Sequence, residues 1–313
     1  MSRWQLRHVP FKFQLSDLTL FSLPVPLQVR AERLVDETSP ANALTPPVDE
    51  LVTGSQGFVV HGLPLQQETR VLTRAGDFFC YVPSQYQHCY IDLRQSFDDY
   101  QKKFSSKTRS TINRKLRKYA EHCGGTIPWK SYHGAGDMRE FFSLARSVSK
   151  SSYQERLLDA GLPESEEFIR GAESLAAEDR VRAWLLFDGE RPVSYLYCPV
   201  TDGVLTYSYL GYDPQYRDKS VGLVLQWLAV QQLFGEGRFR YFDFTEGQSD
   251  HKRLFATHQR HCGNVFMLRR SPRNAAIIYG HLATDRCSRW LGETLERFGV
   301  KARVKRLLRF GRA

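Results

Sequence analysis

The stretch from Leu223 to Phe234 constrains the fold most, because it carries no charged residue and is apolar on nearly every side. A helix of this composition lies buried inside a domain. Gly235 and Gly237 follow the stretch and end the helix. The residues before it, Arg217 to Gly222, form a basic turn. The sequence therefore predicts a long buried helix that is entered from a cationic loop.

Short strands precede and follow this helix. Leu205 to Tyr212 places aromatic and β-branched residues at alternating positions, and Arg240 to Phe244 is a second short strand. The turn from Thr245 to Asp250 then leads into a short helix that carries His251 and Lys252. Upstream, the pattern predicts strands over 181–187, 192–200 and 204–210 and helices over 138–148 and 166–177. This order of elements predicts a mixed α/β fold.

The basic turn has the features of a phosphate site. Arg217 and Lys219 supply positive charge, and Gly222 stands where the helix opens. The first amides of a helix have no partners within it, and they present the positive end of the helix dipole to an anion. The loop by itself fits equally an ordinary turn in which the Ser220 side chain caps the helix. Both interpretations stay open at this point.

A second cationic segment runs from Tyr100 to Ala120, with eight Lys/Arg and no acidic residue. Residues suited to a buried stripe recur there every four positions, which predicts a helix with one narrow apolar face. These residues are Phe104, Thr108, Ile112 and Leu116. The surrounding cations form either a solvated face or a wall that faces an anionic ligand.

The composition, with 42% hydrophobic and 25% charged residues, is typical of a globular protein. Six scattered cysteines, without a Cys-x-x-Cys pair or the Cys/His spacing of a zinc site, predict reduced thiols and no metal in a cytoplasmic protein. Pro24 and Pro26 interrupt the apolar run from Leu18 to Leu27, which argues against a signal peptide. No run approaches the roughly 18 apolar residues that span a bilayer.

Positive charge is concentrated near the C-terminus. Residues 252–313 contain 15 Lys/Arg and three acidic residues, whereas the net charge of the whole chain is +10. Four apolar residues recur at helical spacing in the otherwise basic segment from Gly299 to Phe310. They are Val300, Val304, Leu307 and Leu308. Such a helical tail either lies on an anionic bilayer, which would attach the protein to the inner membrane, or docks its apolar face on the protein.

Three short motifs distinguish the chain. They are Phe104-Ser105-Ser106-Lys107-Thr108-Arg109 before a basic helix, Leu210-Gly211-Tyr212-Asp213-Pro214-Gln215-Tyr216-Arg217, and Asp243-Phe244-Thr245-Glu246-Gly247 with a following Lys252. Together they resemble the CelD-like acetyltransferases, a bacterial family of the GNAT superfamily linked to cellulose and exopolysaccharide biosynthesis. The Fem-type aminoacyl-tRNA-dependent transferases, built as two GNAT-like halves, are more distant relatives. The resemblance spans roughly residues 90–270.

The resemblance implies a GNAT-type fold made of two tandem GNAT-like halves. We expect the halves over residues 1–124 and 125–270, followed by a basic helical tail over 271–313. It also implies that acetyl-CoA or another acyl-CoA binds to a set of residues around the basic turn. This set is Leu210, Gly211, Arg217, Lys219, Ser220, Val221 and Gly222. The chain departs from the family pattern at Ser220, where a glycine is usual, and at His251, where a tyrosine is usual.

Acyl transfer from a thioester to an amine needs a base for the amine proton and an acid for the leaving thiolate. Glu246 is the predicted base, although a carboxylate at this position also fits a helix cap. His251, with a near-neutral pKa, is the predicted acid, and Tyr209 is a second candidate. Either residue also fits ordinary packing.

Arg109, Asp243 and Lys252 are expected to bind the substrate, unless Lys252 pairs with Asp243 or Asp250. We expect a CoA-dependent N-acyltransferase that acts on an amino sugar or a related cell-envelope or polysaccharide precursor, free or lipid-linked. The alternatives are a Fem-like aminoacyl-tRNA-dependent transferase, with RNA phosphates on the basic helix, and a GNAT-fold protein that only binds a partner. The sequence has no hydrolase elbow, no full Walker loop and no metal-ligand cluster.

Overall fold

The computed structural model describes residues 4–15, 18–35, 44–151, 161–247 and 249–297. The chain divides into two compact units. Unit 1 combines Met1–Tyr86 with Arg260–Ala313, and unit 2 is the continuous segment Gln87–Gln259. The divisions expected after residues 124 and 270 fall inside these units, because the chain enters and leaves unit 2 along two long strands. The predicted tail segment Gly299–Phe310 lies outside the described residues.

The strands are numbered in chain order. They are β1 (Gln5–Leu15), β2 (Leu18–Ala31), β3 (Gly57–Pro64), β4 (Leu72–Ala75), β5 (Phe78–Asp92), β6 (Trp129–Tyr132), β7 (Val181–Asp188), β8 (Arg191–Thr201), β9 (Val204–Thr206), β10 (Tyr209–Tyr212), β11 (Tyr241–Asp243) and β12 (His258–Arg269). The α-helices are α1 (Phe97–Lys102), α2 (Ser106–His122), α3 (Met138–Ser151), α4 (Glu166–Ala177), α5 (Val221–Glu236), α6 (Asp250–Phe255) and α7 (Pro272–Arg297). Short 3₁₀ turns cover Val48–Glu50, Ala135–Asp137 and Pro214–Lys219.

Unit 1 is built on a sheet in the order β1-β2-β3-β12-β5, with β4 paired to β5. β2 and β3 run parallel, whereas β1 with β2, β3 with β12, and β4 with β5 run antiparallel. Ile277 and Ile278 of α7 belong to the same buried cluster as Phe11 and Leu27 of the sheet. The apolar runs near the N-terminus therefore form strands, and α7 covers one face of them.

Unit 2 is built on strands in the order β5-β11-β9-β8-β7-β6, with β10 paired to β8. β9 and β11 are parallel, and the other pairs are antiparallel. A parallel pair needs a crossover connection, and here the crossover contains α5. The strands expected over 181–187 and 192–200 and the helices expected over 138–148 and 166–177 are present, whereas the strand expected over 204–210 is divided into β9 and β10.

The sheet of unit 2 is buried on both faces. Along β7, Trp184 and Leu186 point into a core that also contains residues of α5, whereas Ala183 and Leu185 point into a core with residues of α3 and α4. This alternation follows from the two-residue period of a strand. α5 is buried along most of its length, which confirms the helix predicted from its uncharged sequence.

The strand is interrupted between β9 and β10, and this break places Tyr207 and Tyr209 on opposite faces of the sheet. β9 ends at Thr206 and β10 begins at Tyr209, so that Tyr207 and Ser208 lie between two short strands. Tyr207 belongs to the core that contains α5, whereas Tyr209 packs against the core on the opposite face. An unbroken strand would place both rings on one face, because residues two apart point the same way.

The structure confirms a mixed α/β class with a C-terminal helix, α7. Among the residues that the structure describes, no helix is both long enough and apolar enough to cross a membrane.

Candidate functional site

The sheet of unit 2 opens between β10 and β11. β9 pairs with β11 up to Thr206 and Asp243, and the Tyr207 amide donates to the Asp243 carbonyl at 2.9 Å. Beyond this point β10 pairs with β8 alone within the described chain. The Gly211 carbonyl accepts from the Ser194 hydroxyl of β8 at 3.0 Å. The other edge of β10, where the backbone groups of Leu210 lie by alternation, can therefore hydrogen-bond to an extended ligand.

The loop between β10 and α5 brings the chain to the helix start in a strained conformation. Ser220 has φ +56° and ψ +36°, a left-handed conformation that favours glycine. Its side chain makes no capping hydrogen bond to the described residues, so the interpretation of Ser220 as a side-chain cap is wrong. The helical ladder begins at the Ser220 carbonyl, which accepts from the amides of Leu223 at 2.9 Å and Val224 at 3.1 Å. The amides of Val221 and Gly222 precede that ladder.

Gly211 and Gly222 of the predicted cofactor site differ in how much space the fold leaves for a side chain. A Cβ on Gly211 would come within 2.5 Å of the Tyr195 ring, so the fold itself requires glycine there. A Cβ on Gly222 would meet only the Tyr212 ring, at an ordinary 3.6 Å. The fold would therefore accept a methyl group at the start of α5. The space beside Gly222 fits a group that must approach the backbone closely, such as a phosphate.

A cleft of about 370 Å³ lies between α2 and this loop. Its lining is mostly cationic or polar: Arg114, Lys115, Lys118, Tyr119, His122, Asp218, Lys219 and Ser220. α2 is held in place by the buried side chains of Ile112 and Tyr119, and the Tyr119 hydroxyl donates to the Phe187 carbonyl at 2.7 Å. The basic helix thus lines a cleft together with the phosphate-type loop. Arg109, the predicted substrate residue on α2, is not among the lining residues.

A hydrogen-bonded group ties the end of α2 to the loop. The Asp188 carboxylate contacts His122 Nε2 at 3.0 Å and accepts from the Tyr216 hydroxyl at 2.8 Å. Lys219 Nζ lies 3.5 Å from His122 Nδ1. The hydrogen bonds from His122 and Tyr216 lower the pKa of Asp188, so the carboxylate stays ionised. This network connects the end of α2 to the loop before α5.

A buried polar group lies behind the opening between the strands. His251 Nε2 is 3.4 Å from the Tyr207 hydroxyl and 3.1 Å from Gln226 Oε1. Gln226 is 2% exposed, and its Nε2 has no hydrogen-bond partner among the described residues. Burial, and then the charge of Lys252, lower the pKa of His251 from 6.5 to about 4. The expectation of a near-neutral pKa is therefore wrong, and His251 is uncharged at pH 7.

The turn after β11 gathers the remaining predicted residues. Asp243 Oδ1 accepts from the Thr245 amide at 2.7 Å and contacts His88 Nε2 at 2.5 Å. Lys252 Nζ donates to the Glu246 carbonyl at 2.7 Å. Burial lowers the pKa of Lys252, against the opposing effect of Cys89, Asp243 and Glu246. The structure therefore brings Glu246, Asp243 and Lys252 together.

Asp250, one of the two alternative partners predicted for Lys252, pairs instead with Arg253 at 2.5 Å. Tyr209 is also separated from His251. Its ring packs on Phe168 and Tyr197, with centroids 5.5 and 6.2 Å apart, on the opposite face of the sheet. Sequence reasoning did not single out Tyr207, Gln226 or His88. Tyr207 lies on the same face as Leu205, and the break after it turns Tyr209 to the opposite face. Tyr207 is therefore the tyrosine beside His251, and no pattern in the sequence indicates that break.

A family model described as acetyltransferase (GNAT) domain matches residues 106–253, just under half of the chain. The matched segment runs from the start of α2 to within α6, so it contains the cleft, the loop and the Glu246 turn. It confirms the GNAT-type fold expected for this part of the chain. No curated protein matches the sequence.

Several solved structures resemble the chain at low sequence identity. FemX is 11% identical, with a TM-score of 0.53 over 88% of this chain and 90% of FemX. The C-terminal domain of a putative lysylphosphatidylglycerol synthetase from Agrobacterium fabrum is 11% identical, with a TM-score of 0.44 over 64% of this chain and 66% of that one. The ribosomal-protein-S18-alanine N-acetyltransferase from Escherichia coli is 14% identical, with a TM-score of 0.31 over 46% of this chain and 94% of that one.

The likeness to FemX concerns the fold alone at this identity. The chain spans 66% of the length of the Agrobacterium fabrum domain and 66% of the length of the L-PGS structure from Bacillus licheniformis. The narrower resemblance to CelD-like acetyltransferases stays a prediction.

Proposed function

We propose that this protein is a CoA-dependent N-acyltransferase with acetyl-CoA as its donor. The observation that carries the proposal is the space beside Gly222, which the fold would let a methyl group fill. The cations of the cleft face the same end of α5, where the helix dipole also favours an anion. We assign the pyrophosphate to the backbone from Lys219 to Gly222, with Arg217 nearby, and the extended arm of the cofactor to the open edge of β10.

An acyl-CoA thioester supplies an activated acyl carbon and a thiolate leaving group. The protein's part is to take one proton from the amine, and we assign that step to Glu246. The new carbon–nitrogen bond then forms as the carbon–sulfur bond breaks. A thiol has a pKa near 8.5, so the thiolate needs little assistance to leave at neutral pH. An uncharged His251 is therefore compatible with the reaction. Tyr209 stays a candidate proton donor, and we add Tyr207, whose hydroxyl lies 3.4 Å from His251 Nε2.

The acceptor that we propose is the amine of an amino sugar or a related precursor of a bacterial cell envelope or exopolysaccharide. Support comes from the group around Glu246, where Asp243 and Lys252 present opposite charges in a half-buried setting. Such a mixture suits a polar acceptor better than an apolar one. Arg109 stays a candidate substrate residue. We place the protein in the cytoplasm, where such precursors are made, or on the inner surface of the membrane.

A second candidate is a Fem-like transferase that uses aminoacyl-tRNA. The observation in its favour is that exposed cations of α2 extend beyond the cleft, to Lys107 and Arg117. A row of cations along a helix binds nucleic-acid phosphates in a salt-dependent manner. The FemX-like fold is compatible with both candidates.

Calorimetric titration with acetyl-CoA, desulfo-CoA and bulk tRNA separates the candidates. We expect both CoA compounds to bind with similar affinity, because they share the pyrophosphate, and tRNA not to compete. Thiol release from acetyl-CoA in the presence of amino-sugar acceptors then tests turnover. Binding of tRNA without binding of CoA would support the second candidate, and binding of neither would leave only the non-catalytic alternative.

A further inference from the structure

We propose that unit 1 carries a surface that attaches the protein to an anionic membrane. This surface, called the α7 face, consists of Arg273, Ala276, Tyr279, Ala283, Arg286 and Trp290, all of which are exposed. The six residues are three or four positions apart, so they lie along one side of the helix. The inference concerns described residues only, and it is independent of the acyl-transfer reaction.

The aromatic side chains of the α7 face are unusually exposed. Tyr279 is 55% exposed and Trp290 is 64% exposed, although both are large apolar residues. A group of such side chains on one surface indicates an interaction site. Tryptophan and tyrosine are the side chains that gather at the boundary between lipid and water, because each combines an apolar ring with a polar group.

Two grooves flank the α7 face and extend its apolar area. A groove of about 320 Å³ is lined by Val71, Leu72 and Leu282, with Arg70 and Arg286 among its other residues. The groove on the other side is about 520 Å³. Its lining is mostly apolar and includes Phe13, Phe21, Leu23, Ile277 and Gly280, with Arg273 beside them. Phe21 and Leu23 are themselves 50% and 40% exposed. Apolar side chains therefore continue from the helix onto β2, with arginines beside them.

The charge of this surface decides which partner fits it. Between Pro272 and Leu291 the only acidic residue is Asp285, and it pairs with Arg289 at 3.0 Å. A second copy of the chain would bring like charges together, which disfavours self-association. Anionic lipid headgroups supply the opposite charge, and the lipid layer below them accepts the aromatic rings. The sequence after α7 continues this charge, with six Lys/Arg and no acid over residues 298–313.

Vesicle binding by the full-length protein tests the inference. We expect co-sedimentation with vesicles of phosphatidylcholine and phosphatidylglycerol, loss of binding at high salt, and little binding to phosphatidylcholine alone. The double variant Tyr279→Ser/Trp290→Ser should lower the partition coefficient at least about tenfold, because it removes the two rings that enter the lipid. Arg286→Glu should lower it about fivefold or more. All three positions are exposed, so the variants should keep their fold, as circular dichroism can verify.

Matched controls use residues outside the α7 face. Val48→Ser removes an apolar side chain that is 58% exposed elsewhere in unit 1. Arg170→Glu makes the same charge change on an exposed position of α4. Neither control should change vesicle binding by more than about twofold, because neither position belongs to the proposed contact. Trp290 fluorescence should also be quenched by lipids with brominated acyl chains.

Three results would overturn the inference. The first is absence of binding to anionic vesicles. The second is binding that the Tyr279/Trp290 variant leaves unchanged but that truncation after Arg297 abolishes, which would assign attachment to the predicted tail. The third is a dimer in sedimentation analysis that the same variant converts to monomer, which would make the α7 face a contact between copies.

Discussion

The cleft at the start of α5 and the buried group around His251 provide opposite surroundings for a charged side chain. In the cleft, the cationic side chains of Arg114, Lys118 and Lys219 are exposed to water. Around His251, burial lowers the pKa of the imidazole to about 4 and keeps it neutral. The first region can attract and hold an anion, whereas the second excludes ionisation. Because the two regions differ in this way, variants of the cleft should leave the buried group around His251 intact, and variants of that group should leave the cleft intact.

The largest effect is expected for Glu246→Gln. The amide keeps the shape of the side chain but removes its basicity, so turnover should fall by about 100-fold or more. Affinity for acetyl-CoA should not change, since the cleft is untouched. The control is Glu178→Gln, at an exposed carboxylate after α4. Equal turnover of the Glu246 variant and the wild type would remove Glu246 from the mechanism.

A second prediction concerns the pH dependence of stability. The pKa of His251 is lowered from 6.5 to about 4 in the folded chain, so the unfolded chain binds more protons between these values. The contribution of His251 to the free energy of unfolding is therefore complete above about pH 6.5. As the pH falls toward 4, up to about 3 kcal/mol of this free energy is lost.

We expect His251→Gln to reduce the dependence of the free energy of unfolding on pH, measured by urea unfolding between pH 4 and 7. The exposed His258 in β12 provides the control, as His258→Gln. An unchanged slope in the His251 variant would show that the imidazole is not desolvated, and the contrast between the two regions would then fail.

Gly222→Ala should weaken acetyl-CoA binding at least about tenfold, because its methyl group fills the space proposed for the pyrophosphate. The same change should leave the fold intact, since the nearest atom is 3.6 Å away, and it should stabilise the helix by about 0.5–1 kcal/mol. Gly235→Ala is a matched control near the other end of α5, where a Cβ would meet nothing within 4 Å. If both variants bind acetyl-CoA like the wild type, the cofactor assignment is wrong.

The smallest effect is expected for single cations of α2. Lys118→Ala should weaken acetyl-CoA binding by about twofold to fivefold and reduce its salt dependence, because one exposed cation near a phosphate contributes about 1 kcal/mol or less. Arg117→Ala changes the adjacent residue, which does not line the cleft, and should have no effect. Equal losses in both variants, together with tRNA binding, would favour the second candidate function.

Much of the architecture could be predicted because local patterns specify it. The uncharged residues from Leu223 to Phe234 can only be buried, and α5 is buried. The strand predicted over 181–187 is present as β7, and its nearly continuous apolar sequence suits a strand that is covered on both faces. The domain boundaries were harder to predict, because the two parts of unit 1 are separated in sequence by all of unit 2.

The sequence by itself determined the buried helix, the cationic loop and the basic helix, because each follows from the residue types within one short segment. Tertiary structure alone decided that α2 lines the same cleft as Lys219, since the two segments are about one hundred residues apart. It also decided that Tyr207, and not Tyr209, meets His251, because a break in pairing reverses the face on which a side chain lies. The low pKa of His251 has the same origin, because the folded chain removes the imidazole from water and so disfavours its charged form.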